Sequence, residues 1–198
     1  MWGGVVFIAI ILAGVFYIIA LFNGLVAKRN AARNGFSQID VQLQRRHDLI
    51  PNLVEATRAY MSHEKDTLER VIGARDAAVQ AQRNLANAGV YNSPELVDKL
   101  ALAEQRLSNS LAQFTAVMEQ YPELKADSVV KELMEELNST ENRVSFARQA
   151  YNDQVMFYNN ACEMFPSNFV AGAFSFKPMK LLALDDAKAV GPPVRISL

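Results

Sequence analysis

The first 27 residues constrain the fold more than any other part of the chain, because they contain no charged side chain. Residues 1–27 are almost entirely apolar, and as a helix they are long enough to cross a hydrocarbon layer of about 30 Å. No basic residue precedes the apolar run, whereas a cleaved signal peptide normally begins with a basic region. We therefore predict that residues 1–27 form a transmembrane helix that is retained as an anchor.

The charges that follow this helix predict its orientation. Lys28, Arg29 and Arg33 come directly after the apolar run. Lys and Arg are enriched on the cytoplasmic side of membrane helices, so the bulk of the protein is expected in the cytoplasm. The single cysteine, Cys162, cannot form an internal disulfide, which suits a reducing compartment.

The membrane helix also carries small residues along one side. They are Ala9, Ala13, Ala20, Gly24, Ala27 and Ala31. Small residues allow membrane helices to approach closely, and this stripe then predicts a homo-oligomer whose parallel anchors pack through it. The alternative is that alanine and glycine are simply common in membrane helices.

Apolar residues recur at helical spacing through the rest of the chain, which predicts an all-α fold. We expect the N-terminal transmembrane helix to be continuous or nearly continuous with an antiparallel bundle of long helices over residues 28–164. An irregular apolar C-terminal tail, residues 165–198, should follow the bundle. Pro51 removes a backbone donor, so we predict a kink or a helical restart near Asp48, which could act as N-cap.

Local signals predict the remaining helix boundaries. These signals are a cap at Ser62, a turn at Gly89 and Asn92, a helix start at Pro94, a stop before Pro122, and a cap at Asp127 or Ser128. The last long helix carries a nearly heptad apolar stripe, which favours packing of nearly parallel helix axes.

The tail is too apolar to be a solvated linker. Its large apolar residues include Phe165, Phe169, Phe174 and Phe176. We expect these side chains to pack on the bundle, on a neighbouring subunit or at the membrane surface. The terminal segment GPPVRISL, residues 191–198, is not expected to be helical.

The segment around Pro51 combines the residues that most resemble a site. Arg45 and Arg46 could grip phosphate groups, but ion pairing with acids on other helices is the favoured interpretation, with Asp48 and Pro51 forming a helix corner. His47 and His63 lack cysteine partners and metal-binding spacing, so exposed or capping histidines are expected. We predict no catalytic residues, no metal ligands and no cofactor, and the net charge of −1 does not favour nucleic acid.

Four stretches stand out together: FNGLVAKRN, SQIDVQLQRRHDLIPNLVEATRAYMSHEKDTLERV, AYNDQV and FPSNFVAG. They closely resemble the LemA family of bacterial membrane-anchored helical proteins, over about residues 20–75 and 145–180. The resemblance implies a membrane helix followed by a cytoplasmic antiparallel bundle, in a family without established enzymatic activity. Some relatives belong to systems that shape bacterial membranes. Phe36 stands where relatives often carry Trp.

Two functions are compatible with these features. The first is a membrane-anchored homo-oligomeric scaffold that organises or remodels the bacterial inner membrane, with the lipid bilayer, further copies and other membrane proteins as partners. The alternative is a membrane-tethered adaptor or sensor whose bundle recruits a soluble partner protein.

Overall fold

The computed structural model describes residues 2–91 and 93–183, and helices make up most of them. There are six helices in this part: α1 (Trp2–Arg58), α2 (Lys65–Ala88), α3 (Pro94–Met118), α4 (Pro122–Ala126), α5 (Ser128–Glu163) and α6 (Ser167–Ala173). No strand occurs in these residues, which confirms the all-α prediction.

Helix α1 joins the apolar N-terminus to the bundle without a break. It contains 57 residues and is therefore about 85 Å long. None of the other described residues covers its most apolar window, which is long and apolar enough to cross a membrane. Packing against the other helices begins at Leu21 and Phe22, and Leu25 is already 1% exposed. The continuous rod predicted from the sequence is confirmed, and the packed domain begins before the predicted boundary at Ala27.

The four long helices form two antiparallel pairs, α1 with α5 and α2 with α3. The first pair packs most extensively. Apolar residues recur along α5 at heptad spacing. Those residues are Val130, Leu137, Val144, Tyr151 and Tyr158, and all five are buried. A Cβ added to Gly35 would lie 3.2 Å from Cα of Tyr151, so α1 and α5 cross closely at that point.

The core consists of two apolar clusters at different heights. The membrane-proximal cluster contains Leu25, Phe36, Leu85, Leu100 and Tyr158 among others. The distal cluster contains Ile50, Val71, Phe114, Val130 and Leu137 among others. The buried polar residues Arg46, His47 and Glu104 lie at the level between the two clusters, and they form the centre of the candidate site described below.

The helical restart predicted near Asp48 does not occur, because α1 continues through Pro51 to Arg58. Pro51 has no N–H to donate to the carbonyl of His47, which would normally break the helical ladder. Instead, Nε of Arg75, on α2, donates a hydrogen bond of 3.1 Å to that carbonyl. The missing bond is thus replaced from a neighbouring helix, and the chain turns only after Arg58.

Of the three other predicted helix starts, two are correct and one is wrong. Helix α3 begins at Pro94, and Asp127 caps α5 by accepting hydrogen bonds from the backbone N–H groups of residues 129 and 130. Helix α2 begins at Lys65 with Glu64 at its N-cap position, so Ser62 is not its cap. Ser62 was predicted as the cap because acidic residues follow it, but it precedes the N-cap position of α2 in the chain.

The predicted turn after α2 contains Gly89, whose φ of 80° is a conformation that glycine adopts without strain. Asn92 lies outside the described residues, as does GPPVRISL. Helix α3 ends at Met118, before Pro122, as expected. The sequence did not indicate α4, a short helix that begins at Pro122.

Candidate functional site

A buried ion network occupies the level between the two apolar clusters. Arg46 and His47 on α1 both reach Glu104 on α3, at 3.2 Å from Arg46 Nη1 to Oε2 and 2.8 Å from His47 Nε2 to Oε1. Nη2 of Arg46 also donates to Oγ of Ser108 at 2.8 Å. Each of the three main side chains is no more than 3% exposed. We call Arg46, His47, Glu104 and Ser108 the polar layer.

The polar layer is suited to fixing the alignment of helices. A charge buried between apolar clusters is costly unless it is paired, so sliding α3 along α1 would leave Arg46 or Glu104 in an apolar environment. Within the layer, Glu104 is in hydrogen-bond contact with both Arg46 and His47. His47 is fully buried, so the prediction of an exposed or capping histidine is wrong for it, whereas His63 is exposed.

Arg45 points away from the polar layer. Its guanidinium contacts Glu136 on α5, with Nε at 3.2 Å from Oε1, and both side chains are substantially exposed. Asp48 is also exposed and accepts a hydrogen bond of 2.9 Å from Gln44. The two neighbouring arginines therefore form ion pairs of different kinds, one buried and one at the surface.

A cleft opens beside the polar layer between α3 and α5. Its volume is about 490 Å³, and its lining includes Arg46, Ser108, Asn138, Ser145 and Arg148. This cleft was not predicted from the sequence. Small residues on the facing sides of both helices, such as Ala112 and Ser145, were the signal that could have indicated it.

The C-terminal part of the described chain is fastened to α5 by side-chain hydrogen bonds. Residues 175–183, which we call the strap, run along this helix without regular structure. The hydroxyls of Tyr151 and Tyr158 each donate 2.8 Å hydrogen bonds to strap carbonyls. The amides of Asn152 and Asn159 each pair with both the N–H and the C=O of one strap residue. Burial raises the pKa of Tyr151 and Tyr158, so both remain donors.

The strap meets α1 where the apolar N-terminal segment enters the bundle. The ring of Phe22 packs edge-on against Phe174 and Phe176, with centroids 4.9 and 5.4 Å apart. The guanidinium of Arg29 lies over the rings of Phe176 and Tyr91, at 5.1 and 5.3 Å. Burial alone would raise the pKa of Tyr91, but hydrogen bonds from the Lys177 N–H and Arg29 lower it overall.

The four phenylalanines assigned to tail packing divide into two groups. Phe176 is buried, and Phe174 is half covered by its contact with Phe22. Phe165 and Phe169 meet edge to face, with ring centroids 5.9 Å apart, but are 78% and 69% exposed, so these two do not pack into the described part of their own bundle.

The small-residue stripe lies mainly on the open surface of α1. Ala9, Ala13, Ala20 and Ala27 are exposed or nearly so, while Gly24 and Ala31 are half-buried. A Cβ added at Gly24 would meet nothing within 4 Å. The structure contains one chain, so the interface assigned to these residues stays a prediction. Within residues 2–91 and 93–183, no group of three or more His, Cys, Asp or Glu side chains could hold a metal ion.

Comparison with known proteins gives a consistent assignment. Residues 35–196 match the LemA family. The sequence is also similar to the magnetosome protein MamQ of Magnetospirillum gryphiswaldense and to the magnetosome proteins MamQ 1 and MamQ 2 of Paramagnetospirillum magneticum. Each is 25% identical over 169 residues, which is 79% of this chain. The chain spans 62% of the length of these relatives.

Proposed function

The chain belongs to the LemA family, and on that premise we propose that it is a membrane-anchored, homo-oligomeric helical scaffold that organises or remodels the bacterial inner membrane. The observation that carries this proposal is the continuity of α1 from the apolar N-terminus to Arg58. A bundle on a flexible linker would move independently of its anchor. A bundle built around the anchor helix itself must follow the tilt and position of that helix.

The rigid connection makes the anchor useful for assembly. Contacts between neighbouring anchors would fix the relative orientation of the bundles, because α5 packs extensively against the part of α1 that lies within the bundle. The exposed small-residue stripe supplies a surface where helices can approach closely. An array of bundles arranged in this way on one leaflet would impose its own curvature on the bilayer.

The comparisons support a role at a membrane. An apolar helix and membrane-associated relatives mark the chain as a membrane-associated protein. The relatives are named as magnetosome proteins, and neither they nor the LemA family are known as enzyme families. We propose that the bundle lies on the cytoplasmic side, since Lys28, Arg29 and Arg33 follow the span. Its partners would be the lipid bilayer, further copies and other membrane proteins.

The mass of the full-length protein in mild detergent tests the oligomer. We expect a defined mass above that of the monomer, and Gly24→Leu should lower it, because a larger side chain on the stripe separates the helices. Gly14→Leu is the matched control. A Cβ added at Gly14 would also meet nothing within 4 Å, so the substitution is equally tolerated by the single chain. Position 14 lies about 110° around the helix from the stripe, so the new side chain would not separate helices that pack through the stripe. A monomer at high concentration, or equal effects of both substitutions, would contradict the oligomer as described.

Remodelling is tested by adding the pure protein to vesicles. Full-length protein reconstituted into liposomes of bacterial lipids should produce tubules or uniformly curved buds that electron microscopy can count. Gly24→Leu should reduce their number, whereas Gly14→Leu should not. Smooth spherical vesicles at high protein density would argue against a scaffold that bends membranes.

The cleft between α3 and α5 favours a second candidate function, the membrane-tethered adaptor or sensor. Its mixed polar and charged lining suits recognition of a segment of a soluble partner protein. Ala112→Trp would fill the cleft from an exposed helical position. The adaptor hypothesis expects a stoichiometric soluble partner to copurify with the full-length protein. The Ala112→Trp variant should lose this partner, while its oligomer mass and its melting temperature stay unchanged.

A further inference from the structure

The end of α5 and helix α6 present an apolar surface that the bundle leaves open. It consists of Met164, Phe165, Phe169 and Phe174, each more than half exposed. We call it the aromatic face. The opposite side of α6 is buried through Val170 and Ala171. This short helix therefore has one side fixed to the bundle and one side covered by large apolar groups.

The aromatic face lies beside the point where α1 would leave the membrane. Residues 2–21 are about 30 Å long as a helix, which is the thickness of the hydrocarbon layer. The next residue, Phe22, contacts Phe174 directly. A bilayer that covers residues 2–21 would consequently place α6 at the level of its headgroups, where a helix face that carries phenylalanine can insert into the boundary with the acyl chains.

The charges around the aromatic face fit a lipid surface. Residues 164–183 contain two lysines and no acidic residue. Lys177 is exposed, and Lys28 is exposed on the adjacent part of α1. Basic residues near a membrane surface are attracted to anionic headgroups, whereas carboxylates would be repelled by them. Glu163 directly precedes this stretch, and Asp98 pairs with Lys180. The attraction to headgroups therefore rests on Lys177 and Lys28.

We propose that the aromatic face is a second lipid-binding surface, which inserts into the boundary between headgroups and acyl chains of the same bilayer that α1 crosses. This inference deepens the proposed function and rests on its membrane span. An apolar helix face lying in the interface plane is a known way for a helix to bind a bilayer. Here the strap and Phe22 hold that face in place, so the bundle contacts the membrane at two points and cannot rotate freely about the axis of α1.

Nitroxide labels on the full-length protein in liposomes test this contact. Cys162→Ala removes the native thiol, and single cysteines then replace Phe169 or Phe146. Phe146 is the matched control, since it is 73% exposed on α5, compared with 69% for Phe169, and lies about 25 Å from the end of that helix. Collision rates of each label are measured with oxygen, which concentrates in lipid, and with a nickel chelate, which remains in water.

We expect the ratio of oxygen to nickel collisions to be several-fold higher at position 169 than at position 146. Equal, low ratios at both positions would overturn the inference. A third label at Ile11, in the middle of the apolar segment, separates this failure from failure of the anchor. If position 11 reports lipid and position 169 reports water, the second contact is absent but the span stands. If position 11 reports water, both proposals fail.

Two other occupants of the aromatic face have distinct signatures. A second copy of the chain would broaden the spectrum of the label at position 169 through spin–spin interaction, and dilution with unlabelled protein would remove the broadening. Coverage by residues 184–198 would shield the label from both reagents until those residues are deleted. Either result would overturn the lipid contact. Melting of each labelled variant within the range of the parent protein shows that the fold is intact.

Discussion

Substituting Glu104 should destabilise the bundle strongly, because Glu104 is the carboxylate at the centre of the polar layer. Its distance of 3.2 Å from Arg46 corresponds to an attraction of about 5 kcal/mol at an effective dielectric constant of about 20. Both groups have already lost their contact with water in the folded state. Removing one of them leaves the other charge buried, which costs about 3–5 kcal/mol. His47 would also lose the acceptor of its hydrogen bond.

The measurement is thermal unfolding of the full-length protein in one mild detergent, followed by circular dichroism at 222 nm. For a domain of this size, about 3–5 kcal/mol corresponds to a fall in melting temperature of about 6–20 °C. We expect Glu104→Leu and Arg46→Met each to cause such a fall. The fall in melting temperature of the double variant should be much smaller than the sum of the falls of the two single variants, because the double variant leaves no unpaired charge.

The neighbouring pair Arg45 and Glu136 is the matched control, because it joins α1 to the same bundle but lies at the surface. Exposed ion pairs contribute about 1 kcal/mol or less, so Arg45→Met and Glu136→Leu should shift the melting temperature by about 4 °C at most. The role given to the buried charges would be refuted if Glu104→Leu behaved like Glu136→Leu, or if the losses of the double variant were additive.

Three further changes test other parts of the structure. Arg75→Met should cost about 1–2 kcal/mol in thermal unfolding, because the carbonyl left without a donor by Pro51 loses its replacement, and Pro51→Ala should restore part of that loss. Gly35→Val should cost about 1–3 kcal/mol by forcing α1 away from α5, whereas Gly73→Ala, in open space on α2, should stabilise by about 0.5–1 kcal/mol. Asn159→Leu should release the strap and accelerate trypsin cleavage within it, and an unchanged digestion rate would show that this amide does not hold the strap.

The sequence was most informative where a signal is local. Apolar periodicity indicated the long helices, Pro94 marked the start of α3, and Asp127 marked the cap of α5, because each depends on residues within one or two turns. The absence of any helix-breaking residue between Ala27 and Arg33 was enough to predict one rod.

The errors arose where the partner of a residue is far away in the chain. Pro51 does not interrupt α1 because a side chain 24 positions later supplies the missing donor. His47 is buried because its carboxylate partner is 57 positions away, at Glu104. A single sequence shows that such residues are present, but it does not show which helices will bring them together.

The anchor and the first helix of the bundle form one rigid rod, and both membrane proposals depend on that rigidity. Nitroxide labels at Ile11 and Ser37, in a Cys162→Ala background diluted with unlabelled protein in liposomes, measure it directly by double electron–electron resonance. A continuous helix predicts one narrow distance distribution near about 39 Å, since the two positions are 26 residues apart on α1. A broad distribution, or a main peak at a much shorter distance, would show a hinge between membrane and bundle and would contradict the rigid rod.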